Sequence, residues 1–195
     1  RVDTINFDNL KALKRAGVNW LGLGIESAST VVRDGADKRM KRKDIAEVVR
    51  RIQDAGIRVG ANYIFGLPDD TMETMRETLD LALELNTEWA NFYSAMAYPG
   101  SRLYDNAVSD RWPLPYQWHG YSQHSYETHP LPTKYIGAAE VLRFRDEAFH
   151  RYFENTAYLS MVEGKFGRKV REHIVSMTKV RLRRKLLAGR DLAAV

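Results

Sequence analysis

Two segments of the chain are written to the same plan, and this repetition constrains the fold more than any single residue. The first reads DNLKALKRAGVNWLGLGIES and the second DIAEVVRRIQDAGIRVGANYIFGLP. Each begins with a helical pattern, marked by Leu10 and Leu13 in the first and by Ile45, Val48, Val49 and Ile52 in the second. Spacings of three and four place such side chains on one side of a helix. Each pattern stops at Ala-Gly, and Gly17 and Gly56 take the positive φ of a left-handed cap without a Cβ clash. A β-branched residue and an apolar strand follow. A third unit, MRETLDLALELNTEWANFYSAMAYPG, carries Met75, Leu79, Ala82 and Leu85 as its stripe and Asn86 in the cap position. Its strand is expected from about Trp89 to Ala97. Helix, short turn and buried strand three times over means βα units around a parallel sheet. Periodicity leaves open whether that sheet stays open or curls into a barrel.

Beyond Gly100 the pattern changes. Residues 109–133 are rich in Pro, Trp, Tyr and His and show no clean period, as in long loops that cover a site or face a partner. Helical patterns resume afterwards. The chain has 195 residues, 44% hydrophobic and 28% charged, which is globular and large enough for one real core. It has no apolar run long enough to span a membrane and no secretory leader, so a cytoplasmic location is expected. There is no cysteine, so these residues supply no disulfide and no cysteine ligand to a metal. The net charge is +5, and residues 165–190 hold ten Lys/Arg against one Glu. Such a run is read as the solvated face of a terminal helix that packs through Val170, Ile174, Met177 and Val180; a nucleic-acid partner is not expected. The chain opens at Arg1 with a strand end already under way, so it is expected to be the later part of a longer protein.

In parallel α/β folds ligands sit beyond the carboxyl ends of the strands. Three such ends are legible: GLGIES (22–27), YIFGLPDD (63–70) and YSAMAYPGS (93–101). Glu26 stands at the end of a buried strand, where a carboxylate is costly unless it meets a cavity or a partner such as Lys38. After Gly66 and Pro68, Asp70 is expected to cap the next helix, with Glu73 completing a capping box. His119, His124 and His129 recur every five residues, a spacing that suits packing among Trp112, Trp118 and Tyr121 better than metal ligation.

Taken together, GLGIES, the lysine twelve residues after its glutamate, YIFGLPDDT and AYPGSRLY resemble the later strands of the radical S-adenosylmethionine (radical SAM) superfamily. That resemblance implies an α/β fold: the later half of a partial (β/α)6 TIM-like barrel with parallel strands over residues 1–108. An irregular loop and a mostly helical C-terminal extension, residues 109–195, would pack on it. GYSQHSYETHPLPT, EVLRFRDEAFHRYF and MVEGKFGRKV resemble a branch with a cobalamin-binding domain ahead of the barrel. By the same resemblance Glu26 contacts the ribose or methionine part of S-adenosylmethionine, and Lys38 lies near its carboxylate. Asn62 and Ile64 line the adenosine site, Gly66 leaves room for the nucleoside, Asp69 stands at the family's glycine-or-acid turn position, and Tyr93 and Ala95 border the adenine. In the family a C-x3-C-x2-C triplet holds a 4Fe–4S cluster, which cleaves S-adenosylmethionine to methionine and a 5′-deoxyadenosyl radical that attacks the substrate.

The cluster ligands are absent from this chain. The resemblance therefore implies an enzyme fragment, inactive without the missing N-terminal half of the same protein. It implies a small-molecule substrate, a reductant such as flavodoxin or ferredoxin, and cobalamin-dependent methylation as one reaction open to it. Two further readings stand beside it: a cluster-free barrel remnant acting as a binding or scaffold protein, and a nucleic-acid-modifying radical SAM enzyme. An unrelated hydrolase would need Glu26 and Asp69 to form an acid/base pair.

Overall fold

The computed structural model describes residues 2–34 and 42–188. In chain order the elements are α1 (Phe7–Arg15), β1 (Trp20–Glu26), α2 (Thr30–Asp34), α3 (Arg42–Asp54), β2 (Arg58–Phe65), α4 (Met72–Leu85) and β3 (Trp89–Ser94). They continue with α5 (Arg102–Ser109), α6 (Ala138–Phe153), α7 (Thr156–Phe166) and α8 (Arg168–Thr178). The strands form one sheet in the order β1-β2-β3, parallel throughout. The expected parallel α/β fold, continued by helices, is the fold of this chain. The turns follow the caps: Gly17 and Gly56 have φ of 84° and 73°, and Asn86 has 43°, a conformation asparagine tolerates better than most residues.

Strand alternation divides the sheet into two faces. Leu23 and Ile25, then Val59, Ala61, Tyr63 and Phe65, then Ala90 and Phe92 all point into the core at 2% exposure or less. Phe92 stacks on Tyr63 and Phe65 with ring centroids 5.5 and 5.8 Å apart, and Phe144 and Tyr152 of α6 meet this stack edge-on. Phe153, Tyr158, Val162 and Ile174 join the same cluster, so α6, α7 and α8 share the sheet's core rather than building their own.

Strand β3 ends earlier than expected. The Ala95 N–H still reaches the Phe65 carbonyl (2.8 Å), but the Ala95 carbonyl accepts from Leu131 N–H (3.1 Å), so the chain leaves the sheet to pair with the irregular segment. The outer edge of β3 is covered by side chains. The Gln123 carboxamide exchanges two hydrogen bonds with the Ser94 backbone, each 2.9 Å, and Arg145 Nε donates to the Phe92 carbonyl at 2.8 Å.

The basic tail differs from its expected form. Ile174 is buried and Met177 packs on the core, but Val170 and Val180 are 39% and 63% exposed. The helix ends at Thr178, so Val180 is no longer on a helical face. Nor is every cation solvated: Arg184 is 4% exposed. Its guanidinium grips Asp146 on α6, the carbonyls of Gln123 and Ser125, and the Thr128 hydroxyl.

Candidate functional site

The sheet face away from the core carries Trp20, Gly22 and Gly24 of β1, Gly60, Asn62 and Ile64 of β2, and Trp89, Asn91 and Tyr93 of β3. Register sets them in rows, Gly22 beside Gly60 beside Trp89, then Gly24 beside Asn62 beside Asn91, then Ile64 beside Tyr93. None of them is among the buried residues of the core cluster, although Trp89 packs against it at Phe153 and Trp20 stacks on Phe166 of α7. A Cβ at Gly22 or Gly60 would meet nothing within 4 Å. The glycines thus floor a groove of about 280 Å³ bordered by Trp20, Asn62, Trp89 and Asn91. At the carboxyl edge Ile64 stands beside Tyr93, and Glu26, the last residue of β1, is opposite Tyr63, whose own side chain is buried in the core.

Glu26 is held there by construction. The β1–β2 register slips between Gly24 and Glu26, a bulge, and bulges re-aim side chains. Its φ is +68°, the left-handed region, which costs a non-glycine residue about 1 kcal/mol or more. The next turn is clamped to α4: the Ser27 and Thr78 hydroxyls are 3.1 Å apart, and Thr78 Oγ1 accepts from Ala28 N–H at 3.0 Å. Strain of this kind persists only where the scaffold over-determines it. Lys38 lies outside the described residues.

The turn after β2 corrects two expectations. The N-cap of α4 is Thr71, which forms a reciprocal capping box with Thr74, not Asp70 with Glu73. Asp70 is instead 1% exposed. It accepts from Gly66 N–H and Leu67 N–H, each 3.0 Å, and from the Thr74 hydroxyl at 2.7 Å. Its carboxylate folds the loop back on itself. Burial pushes the Asp70 carboxyl up, against the pull of those donors.

Gly66 has φ +84°, and a Cβ there would lie 2.4 Å from Val141 Cγ1 of α6. The space at its Cα is therefore taken by Val141 and is not left for a nucleoside. Replacing Gly66 by alanine is expected to cost on the order of 2 kcal/mol, from backbone strain and overpacking together. Urea unfolding measures it, and adding Val141→Ala should recover part of the loss; an unchanged midpoint for the single variant would contradict this packing.

The irregular segment crosses the strand ends. Leu131 N–H reaches the Ala95 carbonyl, Lys134 N–H reaches the Pro68 carbonyl (3.0 Å), and the Lys134 ammonium pairs with the Asp69 carboxylate. Asp69 is thereby committed to the loop, and Ala95 lies 3% exposed beneath it. The three histidines do not converge. His119 and His129 border one depression and His124 another beside Arg145. Burial lowers the pKa of His124 and His129. Among the described residues no three metal-binding side chains cluster.

Sequence reasoning missed Asn91. Its amide donates to Asn62 Oδ1 at 2.9 Å and accepts from the Trp89 indole, also at 2.9 Å. The signal available was the two-residue spacing of Trp89 and Asn91 on a strand opposite Asn62.

The family model described as the radical SAM superfamily matches residues 2–82, which contain β1, β2 and most of α4. Over those residues the chain is similar to the radical SAM superfamily. It is 31% identical over 122 residues to an uncharacterised methyltransferase of Pyrococcus horikoshii, covering 63% of this chain and 27% of that protein. It is 25% identical over 171 residues to the heme chaperone HemW of Bacillus subtilis, covering 85% and 45%. The radical SAM enzyme coproporphyrinogen III oxidase from Escherichia coli aligns over 63% of this chain and 36% of that one, with a TM-score of 0.47 and 18% identity. The chain thus spans less than half the length of these relatives.

The open face suits S-adenosylmethionine: a glycine floor with room above it, a carboxamide, an apolar Ile64, and a carboxylate at the rim. It does not suit an iron–sulfur cluster, since the 195 residues contain no thiol.

Proposed function

We propose that this chain is the S-adenosylmethionine-binding part of a cytoplasmic radical SAM enzyme. Its 4Fe–4S cluster would be held by cysteines outside these residues, in the N-terminal half of the same protein. The observation that carries the reading is a sheet face turned away from the buried core cluster, on which Asn62 and Ile64 of β2 stand in register beside Asn91 and Tyr93 of β3, with Glu26 at the end of β1. Glu26 takes the ribose hydroxyls or the methionine amine, Asn62 hydrogen-bonds the nucleoside, and the Ile64 backbone meets the adenine edge. Tyr93 borders the ring. Gly66 and Asp70 act indirectly, by fixing the turn that ends β2. Ala95 contributes by holding the irregular segment over the strand ends, and Lys38 is assigned the methionine carboxylate.

Bound beside a reduced cluster, S-adenosylmethionine supplies a 5′-deoxyadenosyl radical for hydrogen abstraction. What these residues do is bind and orient it, while residues 109–133 cover a small-molecule substrate. The similarity to a methyltransferase favours methyl transfer, with cobalamin supplied by a further domain and electrons by flavodoxin or ferredoxin. Residues 1–195 alone would be inactive.

The test is anaerobic reduction of the full-length protein, cluster reconstituted, with S-adenosylmethionine. Release of 5′-deoxyadenosine and methionine is expected, read by mass spectrometry. Binding without any reductive cleavage would favour the cluster-free binding protein and remove the radical chemistry.

A further inference from the structure

We infer that Trp89 and Asn91 are positioning residues which fix the Asn62 carboxamide with its amino group toward the ligand, so that this point of the site takes a hydrogen-bond acceptor. The inference rests on the S-adenosylmethionine reading and adds to it a rule of specificity.

A carboxamide alone is ambiguous, because its oxygen and nitrogen have nearly the same shape and opposite hydrogen-bonding roles. Here the ambiguity is removed from one end. An indole N–H donates and has no acceptor, and Trp89 Nε1 lies 2.9 Å from Asn91 Oδ1. Asn91 must therefore turn its oxygen to the indole. Its amino group then lies 2.9 Å from Asn62 Oδ1, so Asn62 must accept from it. The Asn62 amino group is left turned away from β3, on the side where its in-register neighbour is Gly24, which has no side chain to meet it. Flipping either amide would set donor against donor. Each bond in the chain biases the orientation by about two- to tenfold. Groups that satisfy the exposed amino group are a ribose oxygen, an unprotonated adenine ring nitrogen or a carboxylate; an exocyclic amine at this point is rejected.

The geometry requires all three residues on one sheet face. Trp89 and Asn91 are two apart on β3, and Asn91 is the in-register partner of Asn62.

Calorimetric titration of the full-length protein with S-adenosylmethionine tests this with Trp89→Phe, Asn91→Leu and Asn91→Asp. Trp89→Phe should weaken binding about two- to threefold and Asn91→Leu about five- to tenfold, each estimated from the bonds lost. Asn91→Asp should weaken it most, although aspartate is nearly isosteric, because a carboxylate recruits the Asn62 amino group and turns the wrong atom to the ligand. A purely structural role predicts the reverse, with the larger change, leucine, doing more harm. In the ligand-free protein the Trp89 indole proton should exchange slowly, and quickly in Asn91→Leu. Wild-type binding with unchanged affinity in all three variants would overturn the inference and leave the site standing. Leucine more harmful than aspartate would overturn it likewise. No saturable binding by the wild type would remove the site and the inference together.

Discussion

Replacing Arg184 by alanine is expected to cost about 3 kcal/mol of folding stability and to loosen residues 122–128 from the helix beneath them. All five guanidinium donors are used. Nε and Nη2 reach the two Asp146 oxygens at 2.8 Å each, Nη2 the Gln123 carbonyl at 3.0 Å, and Nη1 the Ser125 carbonyl at 2.9 Å and the Thr128 hydroxyl at 2.8 Å. The arginine side chain is 1% exposed and the Asp146 carboxylate 22%. Removing the cation strips one buried partner from Asp146 and leaves several loop oxygens without donors. Arg145 Nη1 remains on Asp146 at 2.9 Å, which keeps the loss near the lower end for a broken buried pair. Lysine should recover less than half, because an ammonium cannot reproduce the planar fork. Urea midpoints at constant slope measure the cost, and proteolysis within 122–128 should accelerate. A loss below about 1 kcal/mol, within the range of exposed pairs, would show that the arginine is not a staple.

Glu88→Ala should be of similar size, about 3 kcal/mol, at the opposite end of the sheet. The Glu88 side chain is 2% exposed and pairs with the Lys165 ammonium. It accepts from Val59 N–H at 2.9 Å and from Gln53 Nε2 at 3.2 and 3.3 Å. Alanine leaves a wholly buried backbone N–H without its acceptor and releases α7 from β2. Burial pushes the Glu88 carboxyl up, but Lys165, Val59 and Gln53 together hold it below the ordinary glutamate range. Between the folded and unfolded pKa values the unfolded chain binds more protons. This contribution is therefore complete above the ordinary glutamate pKa and is lost as pH falls through the lower folded one. Glu88→Gln keeps an acceptor for Val59, loses the charge, and should flatten that acid limb. An acid limb identical in wild type and glutamine variant would contradict the assignment.

How much of this was legible in the sequence depended on range. The βα repeats were, because Gly17, Gly56 and Asn86 punctuate locally and the stripes between them need only helical geometry. The open face was half legible: alternation places Asn62 and Ile64 together on any strand. The roles of Gly66 and Asp70 were not. A glycine before a helix looks the same whether its missing side chain admits a ligand or Val141, seventy-five positions away in the chain. Asp70-Thr71 offers two possible N-caps, and the choice fell on threonine because aspartate was needed by the backbone of Gly66 and Leu67. Arg184 was hidden inside a run of charges that its neighbours in sequence share and its contacts do not. Glu88, next to a helix cap, gave no periodic signal at all.

S-adenosylmethionine is expected to bind at the open sheet face and to depend on Glu26. The direct measurement is anaerobic calorimetric titration of the cluster-loaded, full-length protein, wild type against Glu26→Ala. One saturable site is expected, with Kd raised about tenfold or more in the variant, the scale of one charge-assisted hydrogen bond. No saturable binding, or equal affinity in the two proteins, would contradict it.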